Sequence, residues 1–267
     1  MSRTVTLHTK QGRRLPCFFH DSLPSTNDEA KRLAREGGRG RFSVAAAEQT
    51  AGRGRMSREF FSPRESGLYL SFVTPARGDF AKFGALSALA VGELLQEFFG
   101  IDVAFKWPND VVAEGRKMCG ILPESIVDAE GRRLVVVGVG INVFETEEDF
   151  GALSQIAVSA RQCCANADLM TTFLRDKRAV LHDMAVRLTE LLSRLADVLA
   201  AGEDLIPAYR GKLVTLGERV SFKGEDGSFR TGVAADVAED CALLVDTAEG
   251  RVRVGWGEVV RREDGQD

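Results

Sequence analysis

The chain has 267 residues, 35 lysines and arginines against 39 aspartates and glutamates, a formal charge of −4 at neutral pH and a pI near 5.6. That length suits one large domain plus a small one, and a 44% hydrophobic share supplies a core. The mild negative balance excludes a globally basic nucleic-acid binder, leaving room only for a local basic patch.

The N-terminal Met1-Ser2-Arg3-Thr4-Val5 runs into polar and basic residues, so no export signal is expected. Arg3, Lys10, Arg13 and Arg14 read as a solvated lead-in strand rather than a DNA arm. Thr26 three residues before Glu29 has the spacing of a capping box, predicting a helix over 26–36 that Gly37-Gly38 stops. Asp79 suits the N-cap of a second helix, in which Phe80, Phe83, Leu86, Ala90, Leu94 and Phe98 recur at helical spacing until Gly100. The third helix has the clearest stripe, Leu181, Met184, Leu188, Leu191, Leu195 and Val198, ending at Gly202. Its His182 is expected on the solvent side.

Between these helices, β-rich runs at 42–47, 68–73, 103–107, 119–127 and 134–143 predict one mixed sheet flanked by helices. The last of them is also the longest strongly apolar stretch, far short of the ~20 residues of a membrane helix. From about residue 211 the texture changes to short apolar runs punctuated by Gly217, Gly224, Gly227, Gly232, Gly250, Gly255 and Gly257, the pattern of a small all-β barrel. The expected division is therefore 1–210 and 211–267. Five scattered cysteines (Cys17, Cys119, Cys163, Cys164, Cys241) with no C-x-x-C pair fit a reducing cytoplasm.

Nucleophile-elbow, zincin, Walker and zinc-finger signatures are absent, and only His8, His20 and His182 could serve as imidazole bases. Three other clusters carry chemistry. Gly52-Arg53-Gly54-Arg55-Met56-Ser57-Arg58, after Glu48-Gln49-Thr50-Ala51, combines a backbone free to approach a ligand with bidentate anion-binding guanidiniums. It reads either as a loop closing over an anion or as a solvated basic turn. Ser57 stands where a dinucleotide fingerprint needs its third glycine. Lys106-Trp107-Pro108-Asn109-Asp110 ends a strand, with Pro108 leaving Asn109 and Asp110 in an exposed turn, while Lys117 beside Met118, Cys119 and Ile121 calls for an anionic partner. Gly138-Val139-Gly140-Ile141-Asn142-Val143 places two glycines and an amide in an apolar strand, for a tight strand crossing or for a ligand. Together the clusters suit two anions brought together without a strong nucleophile.

At these residues the sequence resembles the biotin protein ligase family. Ser25-Thr26-Asn27, the G-R-G-R loop, K-W-P-N-D, Lys117 with Gly120-Ile121-Leu122, and G-x-G-I-N-V stand in the family's order from about 25 to 143, and the tail from 211 resembles its SH3-like C-terminal domain. Two departures are visible: Ser57 for a glycine and Phe60 for a tryptophan, which can still stack. The resemblance implies an α+β fold: a mixed-sheet catalytic domain flanked by helices, like class II aminoacyl-tRNA synthetases and biotin ligases, with a small C-terminal β-barrel. It implies an ATP-dependent ligase that joins biotin and Mg-ATP into biotinyl-adenylate and transfers biotin to a lysine of a biotin carboxyl carrier protein or carboxylase acceptor domain.

The residue roles follow by the same analogy. Lys117, Arg55, Lys106 and Asp110 would be catalytic. Ser25, Thr26, Asn27, Gln49, Gly52, Arg53, Lys117, Gly120, Gly138 and Gly140 would bind biotin. Arg55, Arg58, Phe60, Lys106, Asn109 and Asn142 would bind ATP, with Asp110 near its Mg2+. No winged helix-turn-helix pattern precedes Ser25, so no DNA partner is expected, nor a membrane; a homodimer stays open. A lipoate protein ligase shares the chemistry but shows an R-R-x-x-G-G-G stretch missing here. A nucleic-acid module using Arg53, Arg55 and Arg58 lacks interleaved aromatics and positive charge.

Overall fold

The computed structural model describes residues 3–8, 14–37, 40–76, 80–224, 227–255 and 260–262. In chain order, the larger sheet takes β1 (Arg3–His8), β2 (Arg14–His20), β3 (Phe42–Ala46), β4 (Gly67–Pro75), β5 (Ala104–Lys106), β6 (Asp110–Ala113), β7 (Arg116–Val127) and β8 (Arg133–Asn142). Helices α1 (Thr26–Arg35) and α2 (Phe80–Phe99) interrupt it; α3 (Glu147–Phe150), α4 (Ala160–Cys163), α5 (Ala167–Arg175), α6 (Lys177–Ala200) and α7 (Ile206–Arg210) follow. Strand order is β1-β2-β3-β4-β8-β7-β6-β5, with β2 and β3 parallel and the other neighbours antiparallel, the mixed sheet the β-rich runs predict.

Because side chains alternate along a strand, this sheet has two chemically different faces. Leu70 and Phe72 of β4, Val137 and Val139 of β8 and Ile121 of β7 share the main core with α2 and α6. The opposite face is apolar only at one end, where Val44, Val73, Ile126 and Val136 meet Ala30 and Ala34 of α1. At its other end the register pairs Tyr69 with Gly140, Ser71 with Gly138 and Gly120 with Gly140, so the strands offer glycines and a hydroxyl instead of packing groups. A floor without side chains admits something else.

The smaller sheet comprises β9 (Arg219–Lys223), β10 (Phe229–Val237), β11 (Leu243–Thr247), β12 (Gly250–Val254) and β13 (Val260–Arg262), all antiparallel in the order β12-β11-β10-β9-β13. It is the small all-β unit the glycine-punctuated tail predicts. It is fastened to the turn between β5 and β6: Trp107 Nε1 donates to the Cys241 carbonyl and Trp107 N to Thr215 Oγ1, each at 2.8 Å.

Several expectations need correction. The capping box does not form. Ser25 is the N-cap of α1, without a side-chain cap, and Thr26 is already helical, its hydroxyl turned to Gln49. Glu29 instead pairs with Arg32. His182 is not on the open side of α6 but stacks on Phe19 at 4.4 Å, because Phe19 faces that helix. Phe80 is 38% exposed rather than a core residue, standing at the first turn of α2 where the sheet has ended. Asn109 and Asp110 are half-buried, since Asp110 already opens β6. The Asp79 cap, Gly38, Lys10, Arg13 and Gly257 lie outside the described residues.

Candidate active site

One wall of the site is a chain of hydrogen bonds between groups far apart in sequence. Residues 23 and 48–50 bridge like adjacent strands, with Leu23 N donating to Glu48 O at 3.1 Å and Thr50 N to Leu23 O at 2.9 Å, which brings Gln49 against the start of α1. Gln49 Oε1 accepts from Thr26 N (2.9 Å) and Thr26 Oγ1 (3.1 Å), and its Nε2 donates to Ser62 Oγ (3.0 Å), which donates on to Phe60 O. Ser71 Oγ lies 2.8 Å from Thr26 Oγ1 and 2.6 Å from Asn27 Oδ1. Asn27 Nδ2 donates to Glu124 Oε2 at 2.7 Å. Thr26, Asn27 and Ser71 are buried, and these mutual bonds are what make burying them tolerable; Ser25 beside them is buried as well.

The floor is glycine for steric reasons. A Cβ at Gly138 would stand 2.5 Å from Asn27 Oδ1, and one at Gly140 would stand 2.5 Å from the Phe60 ring. Phe60 therefore lies flat over the sheet, with Lys117 Nζ 5.9 Å from its centroid. The cavity that remains, lined among others by Ser25, Gln49, Arg53, Asn109 and Ile121, measures about 40 Å³.

The other end carries charge. Lys117 Nζ and Asp110 Oδ1 form an ion pair at 2.7 Å, satisfying the sequence expectation that Lys117 needs an anion. Lys106 is exposed and sits directly across the β5–β6 hairpin from Asp110. In the arginine loop, Gly54 N donates to Arg58 O and Phe60 N to Gly52 O, folding it into a small hairpin with Met56 at φ +57°. A left-handed backbone at a methionine stores about 1–2 kcal/mol of strain. Arg53 pairs with Asp28, which also pairs with Lys31; burial pushes that carboxyl up, but hydrogen bonds from Lys31 and Arg53 outweigh it and hold it below the usual range. Arg55 has its charge disfavoured by burial, opposed by the attraction of Asp110 and deepened by Arg58. Asn142 is buried, its Nδ2 shared between Lys117 O and Val158 O, so its donor side is already engaged in the fold.

Of the sequence-predicted residues, Ser25, Thr26, Asn27, Gln49, Arg53, Phe60, Asn109, Lys117, Gly120, Gly138 and Gly140 line this one cavity. Gly52 backs it, since a Cβ there would meet Phe60 O and Ser62 Oγ. Arg55, Arg58, Lys106, Asp110 and Asn142 lie outside its lining. Sequence reasoning missed Ser62, Ser71 and Glu124, although a serine inside the fully buried run of β4 signals a polar partner. A larger cavity, about 480 Å³, lies between α6 and the ends of β2, β3 and β4 and contains none of the predicted residues. Volume is therefore a poor guide to the chemistry here. Among the described residues no three His, Cys, Asp or Glu side chains cluster to hold a metal; a divalent ion reaching this site as a nucleotide complex keeps phosphate and water ligands and needs only one carboxylate, which Asp110 can give.

The biotin/lipoate A/B protein ligase family matches residues 20–142, and the biotin protein ligase C terminal domain matches residues 215–262. The bifunctional ligase/repressor BirA of Bacillus subtilis is 30% identical over 238 residues, covering 87% of this chain and 70% of that protein. The biotin–[acetyl-CoA-carboxylase] ligase of Mycobacterium tuberculosis is 30% identical over 228 residues, covering 81% and 77%. Among solved structures, the biotin protein ligase from Aquifex aeolicus in complex with biotin and ATP superposes with a TM-score of 0.75 at 25% identity, covering 92% of this chain and 99% of that one. At 30% identity over more than two thirds of the length of both relatives, and with both family models matched in order along it, the chain belongs to the biotin protein ligase family.

Proposed function

We propose that the polar wall around Thr26, Asn27 and Gln49 holds the head of biotin, that Gly52, Gly120, Gly138 and Gly140 form its floor, and that Lys117 meets its carboxylate. The enzyme is an ATP-dependent biotin protein ligase; the lipoate alternative is not favoured. Biotin's carboxylate oxygen attacks the α-phosphorus of Mg-ATP, the bond to the bridging oxygen breaks, and pyrophosphate leaves. Lys117, now paired with Asp110, exchanges that partner for the incoming carboxylate and the phosphate. Arg55, Arg58 and Lys106 neutralise the phosphates, with Phe60 and Asn142 beside the adenine and Asp110 or Asn109 near the Mg2+ that travels with ATP. Such a reaction depends on positioning and charge rather than on a strong base.

In the second step a neutral lysine amine attacks the acyl carbon of the adenylate and AMP departs. An amine whose ordinary pKa is about 10.4 must first lose a proton, and Asp110 is the carboxylate placed to accept it. We place the acceptor in a biotin carboxyl carrier domain, as the names of the relatives suggest, and the enzyme in the cytoplasm, in keeping with its five free cysteines. We put the boundary between catalytic and C-terminal parts at residues 210 and 211, after the end of α7.

The observation that carries the reading is one cavity with a wired polar wall at one end and, at the other, Lys117, which is held from outside the lining by Asp110. Its test is biotin-dependent exchange of labelled pyrophosphate into ATP, followed by single-turnover transfer to a carrier domain. Exchange driven by lipoate and not by biotin would overturn the reading.

A further inference from the structure

Asn27 can face the site in only one way, and a residue outside the lining decides which. Its Nδ2 lies 2.7 Å from Glu124 Oε2 and 3.3 Å from the Leu122 carbonyl, while its Oδ1 lies 2.6 Å from Ser71 Oγ. A carboxylate has no proton to give, so Glu124 accepts from the amide nitrogen, and Asn27 must turn its oxygen toward Ser71. Ser71 has a single proton, placed between Asn27 Oδ1 and Thr26 Oγ1; Thr26 in turn donates to Gln49. Reversing Asn27 would put an oxygen against the carboxylate and leave Ser71 facing an NH2 group.

Glu124 is itself fixed. Lys31 Nζ lies 2.9 Å from its other oxygen, Oε1, and 3.0 Å from Asp28, which binds Arg53 of the arginine loop. Helix α1 thus carries Asn27 and Asp28 in its first turn and Lys31 one turn on, and β7 sets Glu124 opposite Val136, two residues along β8 from Gly138, against whose backbone Asn27 rests. The Lys31 side chain is only 15% exposed, so the pair is shielded enough to hold its geometry.

We propose that Glu124 is a positioning residue for biotin: it touches no substrate, but it sets the direction of the Asn27 amide and, through Lys31 and Asp28, joins the biotin wall to the loop that closes over it. The proposal rests on the assignment of this wall to biotin.

The test uses the full-length enzyme and biotin-dependent pyrophosphate exchange, with KM for biotin, KM for ATP and kcat measured separately and thermal unfolding as a control. Glu124→Leu removes the acceptor; KM for biotin should rise about tenfold, with kcat and KM for ATP within about twofold, as loss of one charge-assisted hydrogen bond in the ground state predicts. Glu124→Gln keeps an oxygen for Asn27 and should stay within about threefold of the parent. A reciprocal pair guards against a misfolded Leu variant. Asn27→Asp faces Glu124 with a second carboxylate and should raise KM for biotin most; adding Glu124→Gln supplies an amide donor to that carboxylate and should recover about tenfold.

An unchanged KM for biotin in Glu124→Leu, a fall in kcat with KM unmoved, equal losses for biotin and ATP, or no recovery in the double variant would each overturn the proposal. A parent enzyme without biotin-dependent exchange would instead refute the functional assignment on which it rests.

Discussion

The two ends of the site solve different problems. At the end we assign to biotin, Gln49, Thr26, Ser71, Asn27 and Glu124 form one directional chain of hydrogen bonds, most of it buried. At the end we assign to the phosphates, Lys117 and Asp110 neutralise each other and Lys106 is exposed. A neutral head group is best recognised by dipoles held rigid beforehand, because each unsatisfied one costs desolvation. A polyanion that comes and goes is served by cations with a temporary partner to return to. The first end is therefore expected to tolerate no change of donor or acceptor, and the second to show its effects in rates.

The sharpest way to break the contrast is Lys117→Ala. Removing one preorganised cation from a site of charge transfer costs about 3–4 kcal/mol of transition-state stabilisation. Biotin-dependent pyrophosphate exchange should fall by two to three orders of magnitude, on the scale of about 1.4 kcal/mol per tenfold. Exchange at the parent's rate would remove Lys117 from the first step.

Arg55→Gly comes next. It deletes charge-assisted contacts worth roughly 1.5–3 kcal/mol and adds backbone freedom to the loop, so the residence time of the adenylate should drop by about one to two orders of magnitude. Released adenylate is a mixed anhydride that acylates amines in solution, and bystander proteins should acquire biotin. The same change combined with Lys117→Ala should label nothing. If adenylate forms but its off-rate matches the parent's, the loop is not the cover.

Asp110→Asn should have a smaller effect, about tenfold, and on the second step: single-turnover transfer should slow while exchange holds. A greater loss in exchange would assign Asp110 to the metal of Mg-ATP instead.

How legible these two ends were in the sequence follows from the range of their contacts. The arginine loop, the turn holding Lys106 to Asp110 and the glycines of β8 are local, so residue type and spacing alone reveal them. The biotin wall depends on pairs such as Ser71 with Asn27 and Asn27 with Glu124, 44 and 97 positions apart, which no periodicity can announce. Thr26 shows the conflict directly: its spacing to Glu29 is that of a cap, yet a tertiary partner, Gln49, won its hydroxyl. The helices and the central strands were legible because their stripes and runs are long. The pairing of β1 with β2 was not, since pairing is a contact between segments and leaves no period in either, and neither were α3, α4 and α7, since four- or five-residue elements carry too little pattern.

The smallest effect on catalysis belongs to Glu145, a buried carboxyl that lies outside the site. It follows Asn142 by three residues, is 0% exposed, and its carboxylate meets the backbone amides of 143–145 and the Tyr69 hydroxyl without a well-formed hydrogen bond to either oxygen. Burial pushes its pKa from the ordinary 4.5 up to about 8, with nearby backbone amides opposing the shift only in part. The folded protein therefore holds this group neutral at pH 7, whereas the unfolded chain ionises it. Below about pH 4.5 both states are protonated and Glu145 contributes no pH dependence; between 4.5 and about 8 the unfolded state binds fewer protons, so stability falls as pH rises. Above that window the burial penalty is present in full. Glu145→Gln keeps the shape and cannot ionise, so its Tm should match the parent's near pH 4.5 and exceed it by about 5 °C or more at pH 8.5, at a few degrees per kcal/mol for a chain of this size. Exchange activity at neutral pH should stay within about twofold, because Glu145 lines no part of the site. A Tm difference that is flat across that window would mean that Glu145 is ionised in the fold, its neighbouring amides and the Tyr69 hydroxyl offsetting the cost of burial.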